Sequence, residues 1–242
     1  MITPNWPAPN TIKALSTTRY GGFSSPPYNE LNLGDHVGDD LASVIKNRQS
    51  LTQQASLPES PRWLKQVHGT TVSHASHWKN GDEADAIFSD QINQVCPVMT
   101  ADCLPILLCN KQGDQVAAIH AGWRGLANGI IEKTLEKFNC HSQHIMAWLG
   151  PAIGPTQFEV GTDVYDTFTF QSVEASLAFK QTDAEHYLAN IYLLARQRLQ
   201  LFGIQNIYGG EHCTVSDSTR FFSYRRDGIT GRMASMIWIR PK

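Results

Sequence analysis

The sequence has no long apolar run and no excess of one charge, and each lack excludes a class of protein. Its longest nearly apolar stretch, residues 104–109, is far shorter than the roughly 20 residues that a membrane-spanning helix needs. The 20 Lys and Arg residues are balanced by 22 Asp and Glu residues, which excludes a basic protein that coats nucleic acid. A hydrophobic share of 41% excludes a disordered chain. We therefore expect a globular protein that binds neither membrane nor nucleic acid.

The sequence also lacks a secretion signal and a cysteine framework. Residues 1–7 have no basic start and no apolar run, so they do not indicate export. The five cysteines are odd in number and contain no Cys-x-x-Cys pair, which argues against disulfides and against a zinc ribbon. No repeat, low-complexity tract or Gly/Ser-rich linker interrupts the chain. We expect a cytoplasmic protein with free thiols and a single domain over residues 1–242.

The spacing of apolar residues predicts a mixed α/β protein. Residues 17–40 are dense in turn formers and predict a long ordered loop, here called the strap. Asp39 and Asp40 can cap a helix of about 15 residues that begins at Leu41. Further helices are predicted over residues 126–138 and 187–202, the latter stopped by Gly203. Strands are predicted over residues 63–68, 84–89, 95–100, 105–109, 116–120, 144–149, 221–224 and 233–239.

Two of these strands predict a β-hairpin. The five-residue polar loop 110–114, which contains Gly113, lies between residues 105–109 and 116–120. With Gln112 at the loop centre, paired residues have numbers that sum to about 224, so Leu104 lies opposite His120. Cys103 and His120 then meet at one end of the hairpin, where cross-strand β-carbons are roughly 4.5–8 Å apart.

This end of the hairpin predicts a metal site. His68 ends a strand just before a glycine, as expected for a ligand that projects from a sheet edge. A His/Cys/His set leaves the fourth position of a tetrahedral zinc ion open, which is typical of catalytic zinc. The alternative is a small buried thiol with two ordinary polar histidines. Two other histidine pairs, His74 with His77 and His141 with His144, lie in polar segments and are interpreted as surface residues.

Two arginine-bearing segments could bind an anion. Arg124 follows a glycine at the start of a helix, where backbone N–H groups favour phosphate or carboxylate. A tight turn with Arg124 in a salt bridge is the alternative. Arg225 and Arg226 lie beside aromatic residues, and one could contact an oxyanion while the other forms a structural ion pair.

The sequence resembles a known family, the YfiH-type laccase-domain proteins. The resemblance rests on residues 65–69 (KQVHG), 101–105 (ADCLP), 120–125 (HAGWRG), 150–154 (GPAIG), 221–228 (FFSYRRDG) and the strap with its Thr18-Arg19-Tyr20-Gly21-Gly22 motif. It covers nearly the whole chain. The resemblance implies a layered α/β/β/α domain and one zinc ion bound by His68, Cys103 and His120.

The same resemblance implies purine nucleoside phosphorylase activity on adenosine, inosine, guanosine and methylthioadenosine, with adenosine deaminase activity in the same site. Phosphate would then attack C1′ of the ribose as the purine leaves, and Arg19, Arg124, Arg225 and Arg226 are the candidates to bind phosphate. Asp102 is either a general acid or a residue that holds a histidine ligand in place. An open zinc position can also activate water for deamination. We expect a monomer or homodimer.

Three other functions stay open. Family members carry an older polyphenol oxidase label, but no two of the nine histidines form a His-x-His pair, so a multicopper site is disfavoured, although copper could load in vitro. Some members are linked to editing of peptidoglycan precursors, which would make the protein an amidase that uses zinc-bound water or Cys103 as the nucleophile. A zinc-stabilised binding module would need Cys109 or His212 as a fourth ligand.

Overall fold

A computed structural model describes residues 1–241 of the chain. The strands are β1 (Ile12–Ser16), β2 (Val72–His74), β3 (Ala86–Ser89), β4 (Cys96–Thr100), β5 (Leu104–Asn110), β6 (Val116–Ala121), β7 (Ile145–Leu149), β8 (Glu159–Gly161), β9 (Phe179–Gln181), β10 (His186–Ala189), β11 (Asn206–Gly209) and β12 (Met233–Ile239). The helices are α1 (Leu41–Gln54), α2 (Trp123–Ala127), α3 (Ile130–Leu135), α4 (Thr162–Gln171), α5 (Ile191–Leu201) and α6 (Tyr224–Asp227). Short 3₁₀ turns cover Ala75–His77, Ser142–His144 and Val173–Ala178.

These strands form three sheets. The largest is six-stranded, with the order β11-β7-β5-β6-β3-β2. Its central pairs are antiparallel, while β2 with β3 and β7 with β11 run parallel. The second sheet has the antiparallel order β1-β12-β4, and a small third sheet has the order β8-β10-β9.

The core is layered because side chains alternate across β5. Ile106 and Leu108 point to one face of the six-stranded sheet and pack with α3 and α5. Leu107 and Cys109 point to the other face and pack against β1, β4 and β12 of the second sheet. Leu51 of α1 covers the outer face of that second sheet. The order of layers is therefore helix, sheet, sheet, helix, which confirms the expected α/β/β/α architecture.

The strap is an ordered loop, as predicted, because buried amides satisfy its backbone. Asn47 of α1 is fully buried and accepts the backbone N–H of Phe23 at 2.7 Å. Its amide nitrogen donates to the backbone carbonyl of Asn32 at 2.8 Å and to the Ser24 hydroxyl at 2.9 Å. Helix α1 begins at Leu41, as predicted, and Asp40 caps it by accepting the N–H of Ser43. The strap is thus fixed against α1.

Four predicted elements differ from the structure. Residues 63–68 form no strand beyond a single bridge from Lys65 to Glu83. Residues 221–224 lead into the short helix α6 rather than a strand. The helix predicted over 126–138 is divided into α2 and α3, because Gly129 has a φ of +95° that interrupts helical geometry. The helix predicted over 187–202 begins only at Ile191, since Asn190 caps it and the preceding residues pair as β10.

The predicted hairpin is present, but its register differs by one residue. Leu104 pairs with Ala121 and Pro105 with His120, whereas Leu104 was expected opposite His120. The physical cause is Asn110, whose side-chain oxygen accepts the N–H groups of Gly113, Asp114 and Gln115 and closes a shorter loop. Within residues 1–241, no helix is long and apolar enough to cross a membrane.

Candidate metal centre

The structure brings His68, Cys103 and His120 together at one end of the β5–β6 hairpin. One ligand atom from each residue lies within 4.8 Å of the other two. The Cys103 Sγ atom is 3.8 Å from Nε2 of His68, and the two imidazole rings meet edge to face with centroids 4.8 Å apart. Two nitrogens and one sulfur at this spacing could bind a single metal ion with small side-chain shifts.

His120 is held in one orientation by a buried carboxylate. It lies on β6 with 3% of its surface exposed, and its Nδ1 atom is 2.8 Å from Oδ1 of Asp85, which is fully buried. Asp85 directly precedes β3, the neighbour of β6 in the sheet. Because Nδ1 is occupied by this hydrogen bond, Nε2 is left for a metal ion.

The same carboxylate shapes the turn that carries His68. Asp85 accepts the backbone N–H groups of Val67, His68 and Gly69 at 3.2, 2.9 and 2.7 Å. These bonds hold His68 at a φ of +59°, a conformation that non-glycine residues seldom adopt. Asp85 was missed by the sequence analysis, although an acid inside the apolar run 84–88 is an unusual feature that could have indicated it.

Gly122 lets the histidine and the thiol approach each other. It lies at the N-terminal end of α2, immediately after β6. A β-carbon at this position would lie 2.8 Å from Cδ2 of His68 and 3.2 Å from Sγ of Cys103. The close approach of the backbone to two of the three candidate ligands therefore requires a glycine.

Cys103 and His120 form a coupled acid–base pair. Burial would raise the pKa of Cys103, but the positive charge of His120 and hydrogen bonds from both histidines outweigh it and lower that pKa to about 6. Burial would lower the pKa of His120, but the negative charge of Cys103 and the hydrogen bond to Asp85 raise it to about 9. The site thus stabilises a thiolate, the form of cysteine that binds metal.

A cavity of about 380 Å³ opens beside the three residues. Its lining residues are His36, Gln66, His68, Met99, Thr100, Ala101, Cys103, His120, Tyr224 and Arg232. The lining combines an apolar surface with a few polar groups, as is usual for small-molecule sites. His36, Gln66, Tyr224 and Arg232 were not singled out from the sequence, although Gln66 and Tyr224 lie within the motifs 65–69 and 221–228.

Asp102 lies next to Cys103, and within residues 1–241 its carboxylate has no hydrogen bond to His68 or His120. Its carboxylate accepts hydrogen bonds from the hydroxyls of Thr214 at 2.5 Å and Ser223 at 3.0 Å, and from the backbone N–H of Arg225 at 2.7 Å. Its φ is +91° and it is buried. The expectation that Asp102 holds a histidine is therefore corrected: Asp85 takes that place, and Asp102 joins the β4–β5 turn to the segment before α6.

The four arginines proposed from the sequence do not line this cavity. The Arg226 guanidinium donates to the backbone carbonyls of Thr214, Val215 and Phe221. It also pairs with Asp227, so Arg226 is the one of the two neighbouring arginines that forms a structural ion pair.

The other three arginines also point elsewhere. Arg225 donates to the carbonyl of Glu159 at 3.0 Å, over the ring of Phe158. Arg19 lines a separate cavity of about 240 Å³. Arg124 is exposed, and its Cζ atom lies 4.4 Å from the ring centroid of Trp123. Within the described part of the chain it forms no salt bridge.

The alternative ligands are not part of the cluster. Within residues 1–241, one cluster of at least three side chains could bind a metal ion, and it consists of His68, Cys103 and His120. Cys109 and His212 do not belong to this cluster. Cys109 is buried in the core between the sheets, where burial raises its pKa to about 12. A site closed by a fourth protein ligand is therefore not formed by these residues.

Comparison with known proteins agrees with this architecture. Residues 13–240 match the family model described as multi-copper polyphenol oxidoreductase laccase. The chain is 50% identical over 239 residues to the purine nucleoside phosphorylase of Haemophilus influenzae, covering 98% of each chain. It is 50% identical over 240 residues to purine nucleoside phosphorylase YfiH of Escherichia coli, covering 99% of this chain and 98% of the relative.

Solved structures with the same fold include proteins of three bacteria. A protein of Neisseria meningitidis superposes with a TM-score of 0.96 at 48% identity over 99% of both chains. YlmD of Geobacillus stearothermophilus superposes with a TM-score of 0.87 at 32% identity, covering 96% of this chain and 93% of that one. YfiH of Bacillus licheniformis gives a TM-score of 0.88 at 29% identity, covering 96% and 94%.

Proposed function

The chain belongs to the YfiH-type laccase-domain family, and from this membership we propose that it is a purine nucleoside phosphorylase with one zinc ion at His68, Cys103 and His120. The observation that carries the proposal is the cavity beside these three residues, in a chain half identical to proteins named purine nucleoside phosphorylase. Its substrates would be adenosine, inosine, guanosine and methylthioadenosine, together with inorganic phosphate.

The residues present fit a zinc ion. One thiolate and two imidazoles are ligands that zinc prefers, and Asp85 fixes the tautomer of His120 as carboxylates do beside metal-bound histidines. The lowered pKa of Cys103 favours the thiolate needed for binding. Copper binds such donors tightly and could load in vitro. One group of three ligands within residues 1–241 does not provide the several copper sites of a multicopper oxidase.

In phosphorolysis, a phosphate oxygen forms a bond to C1′ of the ribose while the bond from C1′ to the purine nitrogen breaks and its electron pair leaves with the base. The zinc ion would supply Lewis-acid chemistry at an open coordination position. The protein has to place phosphate and nucleoside side by side and exclude water. Thr100 and Tyr224 line the cavity and offer hydroxyl groups for the nucleoside, whereas the amide of Gln66 is bonded to the backbone of Met99.

Asp102 contributes by position rather than by proton transfer. Both of its carboxylate oxygens accept hydrogen bonds, from Thr214 on one side and from Ser223 and the Arg225 backbone on the other. Protein donors occupy both oxygens and Asp102 does not line the cavity, so it is not placed to exchange a proton with a substrate. We assign it the task of keeping Cys103 and the start of α6 in place, with Tyr224 at the cavity wall.

The same cavity would deaminate adenosine. Water would add to C6 of the purine and ammonia would leave, which replaces the amino group by an oxygen. Three protein ligands would leave one coordination position of a zinc ion open. Such a position suits both reactions, because each reaction needs an electrophilic centre beside the bound purine.

Inosine is the substrate that tests the proposal, because it has no 6-amino group and deamination cannot obscure the result. Zinc-loaded protein should convert inosine to hypoxanthine and ribose 1-phosphate only when inorganic phosphate is present. Equal release of hypoxanthine without phosphate would identify a hydrolase instead. No release in either case would overturn the proposal and favour the amidase, for which the Cys103 thiolate is a suitable nucleophile.

A further inference from the structure

The cavity beside the candidate metal ligands has a permanent positive charge in its wall. Among its described lining residues, Arg232 is the one whose side chain is always charged, and no Asp or Glu belongs to that lining. We propose that Arg232 binds the phosphate co-substrate, an inference that rests on the proposed phosphorylase function. Arg232 then takes the place that the sequence analysis gave to Arg19, Arg124, Arg225 and Arg226.

The guanidinium of Arg232 is only partly used by the protein. Its Nη1 atom donates to the backbone carbonyls of Thr230 and Gly231, each at 3.0 Å. Within residues 1–241, neither Nε nor Nη2 of Arg232 has a hydrogen-bond partner, and no carboxylate lies within salt-bridge distance. A forked pair of N–H donors is therefore free to bind an oxyanion.

Some other half-buried arginines of the chain pair with carboxylates, and two that do not, Arg19 and Arg196, each donate from two guanidinium nitrogens to backbone carbonyls. Arg62 pairs with Glu59 at 2.7 Å, and Arg198 pairs with Glu132 at 2.5 Å. Arg232 is likewise half-buried, and burial lowers its pKa. A partly desolvated guanidinium without a counter-ion is unfavourable for stability, and an anionic ligand would remove that penalty.

The neighbouring charges leave this arginine available. Cys103 and Asp102 are near enough for their charges to affect Arg232. The Cys103 thiolate would bind the metal ion, and the Asp102 carboxylate is engaged by Thr214, Ser223 and the Arg225 backbone. Asp35 pairs with Arg48 at 3.3 Å, outside the cavity lining. His36 and Arg232 line the same cavity, and burial together with the charge of Arg232 lowers the pKa of His36.

The backbone of Arg232 is fixed before any ligand binds. Its N–H donates to Oδ1 of Asn32 in the strap at 2.8 Å, and its carbonyl accepts the N–H of Leu33 at 3.1 Å. The chain then enters β12 at Met233. A β-carbon at Gly34 would lie 2.8 Å from Cγ of Arg232, so a glycine gives this side chain room. The arginine is thus preorganised by the strap.

Steady-state kinetics with inosine and varied phosphate test this assignment. Arg232→Gln should raise the phosphate KM by about tenfold or more, while the inosine KM changes by less than about threefold. Arg232→Lys should give an intermediate phosphate KM, because lysine keeps the charge without the fork. Arg240→Gln, which removes an exposed arginine bonded to the carbonyl of Asn10, is the matched control. An unchanged phosphate KM in Arg232→Gln would overturn the inference.

Binding of inorganic phosphate alone separates this inference from the proposed function. Isothermal titration of the zinc-loaded protein without nucleoside should detect phosphate binding in the wild type and in Arg240→Gln, and a loss of at least about tenfold in Arg232→Gln. If the wild type cleaves no nucleoside but shows this pattern, the phosphorylase proposal fails and the anion site stands. If phosphate binds equally to Arg232→Gln, or does not bind the wild type, the anion site is wrong. Should Arg232→Gln not fold by circular dichroism, Arg232→Lys decides by the same comparison.

Discussion

Oδ1 of Asp85 lies 2.8 Å from Nδ1 of His120, and the same carboxylate accepts the backbone N–H of His68. A single buried side chain therefore positions two of the three candidate metal ligands. It also joins two parts of the chain, the loop before β2 and the strand β6, which the sequence alone does not connect.

Replacement of Asp85 by Asn should weaken zinc binding by about 10–100-fold, because the amide presents an N–H₂ group to partners that are themselves donors. Competition with a chromophoric chelator measures the zinc affinity. Asp90→Asn alters an exposed carboxylate just beyond β3 and is the control. Equal zinc affinity in wild type and Asp85→Asn would show that Asp85 does not orient the ligands.

Removal of the Cys103 thiol should empty the metal site. We expect about one zinc ion per wild-type chain and little zinc in Cys103→Ala, since two histidines alone bind the ion weakly. Elemental analysis of purified protein gives the ratio. Cys140→Ala removes a half-buried thiol outside the cluster and should keep its zinc. Full zinc content in Cys103→Ala would place the metal elsewhere.

The hairpin shows how much the sequence could predict. Its two apolar strands and their polar loop were recognisable, and they placed Cys103 near His120 despite a register shift of one residue. That shift depends on hydrogen bonds from one asparagine side chain, which apolar spacing does not reveal. The layered fold followed from the family resemblance. His68 was proposed as the third ligand from its place before Gly69, although the strand expected over residues 63–68 is reduced to a single bridge.

Contacts between distant segments could not be predicted from the sequence. Asp85 and Arg232 acquire their importance from residues far away in sequence. The apolar run around Asp85 marks it as unusual without naming its partners, and no local pattern distinguishes Arg232 from ordinary polar residues. Residues 187–189 follow a helical pattern, yet they pair with β8 and β9 because neighbouring strands override a weak local preference. The arginines beside aromatic residues were evident in the sequence, but their hydrogen bonds to backbone carbonyls were not.

The reactivity of Cys103 should depend on pH in the metal-free protein. With a pKa of about 6, the thiol is mostly ionised at pH 7 and becomes protonated as the pH falls below 6, so alkylation by iodoacetamide should slow with a midpoint near 6. His120→Asn removes the stabilising positive charge and should move the midpoint upward. Peptide mass spectrometry follows each cysteine separately. A midpoint near 8.5, the ordinary value for cysteine, would contradict the proposed thiolate.

Cys109 provides an internal comparison for that experiment. It is buried between the sheets, and burial raises its pKa to about 12. It should therefore stay unmodified over the same pH range as long as the protein is folded. Bound zinc should protect Cys103 but leave the other thiols unaffected.

Arg226→Ala should destabilise the protein without raising the phosphate KM. The Arg226 guanidinium donates to three backbone carbonyls and pairs with Asp227. Loss of these hydrogen bonds leaves partly buried acceptors unsatisfied, at a cost of about 1–3 kcal/mol. Urea unfolding gives the change in free energy, and inosine kinetics give the KM. A raised phosphate KM with unchanged stability would show that Arg226 binds the substrate.

The position of β12 between β1 and β4 constrains the order of events on the ribosome. Ser235 of β12 donates its hydroxyl proton to Ser16 of β1, 219 positions earlier in the chain. The strand β1 therefore leaves the exit tunnel long before its neighbour is synthesised, and its unpaired backbone is open to wrong partners during translation. Arg232 and the strap meet only at that late stage, so the cavity closes only after Arg232 has been added.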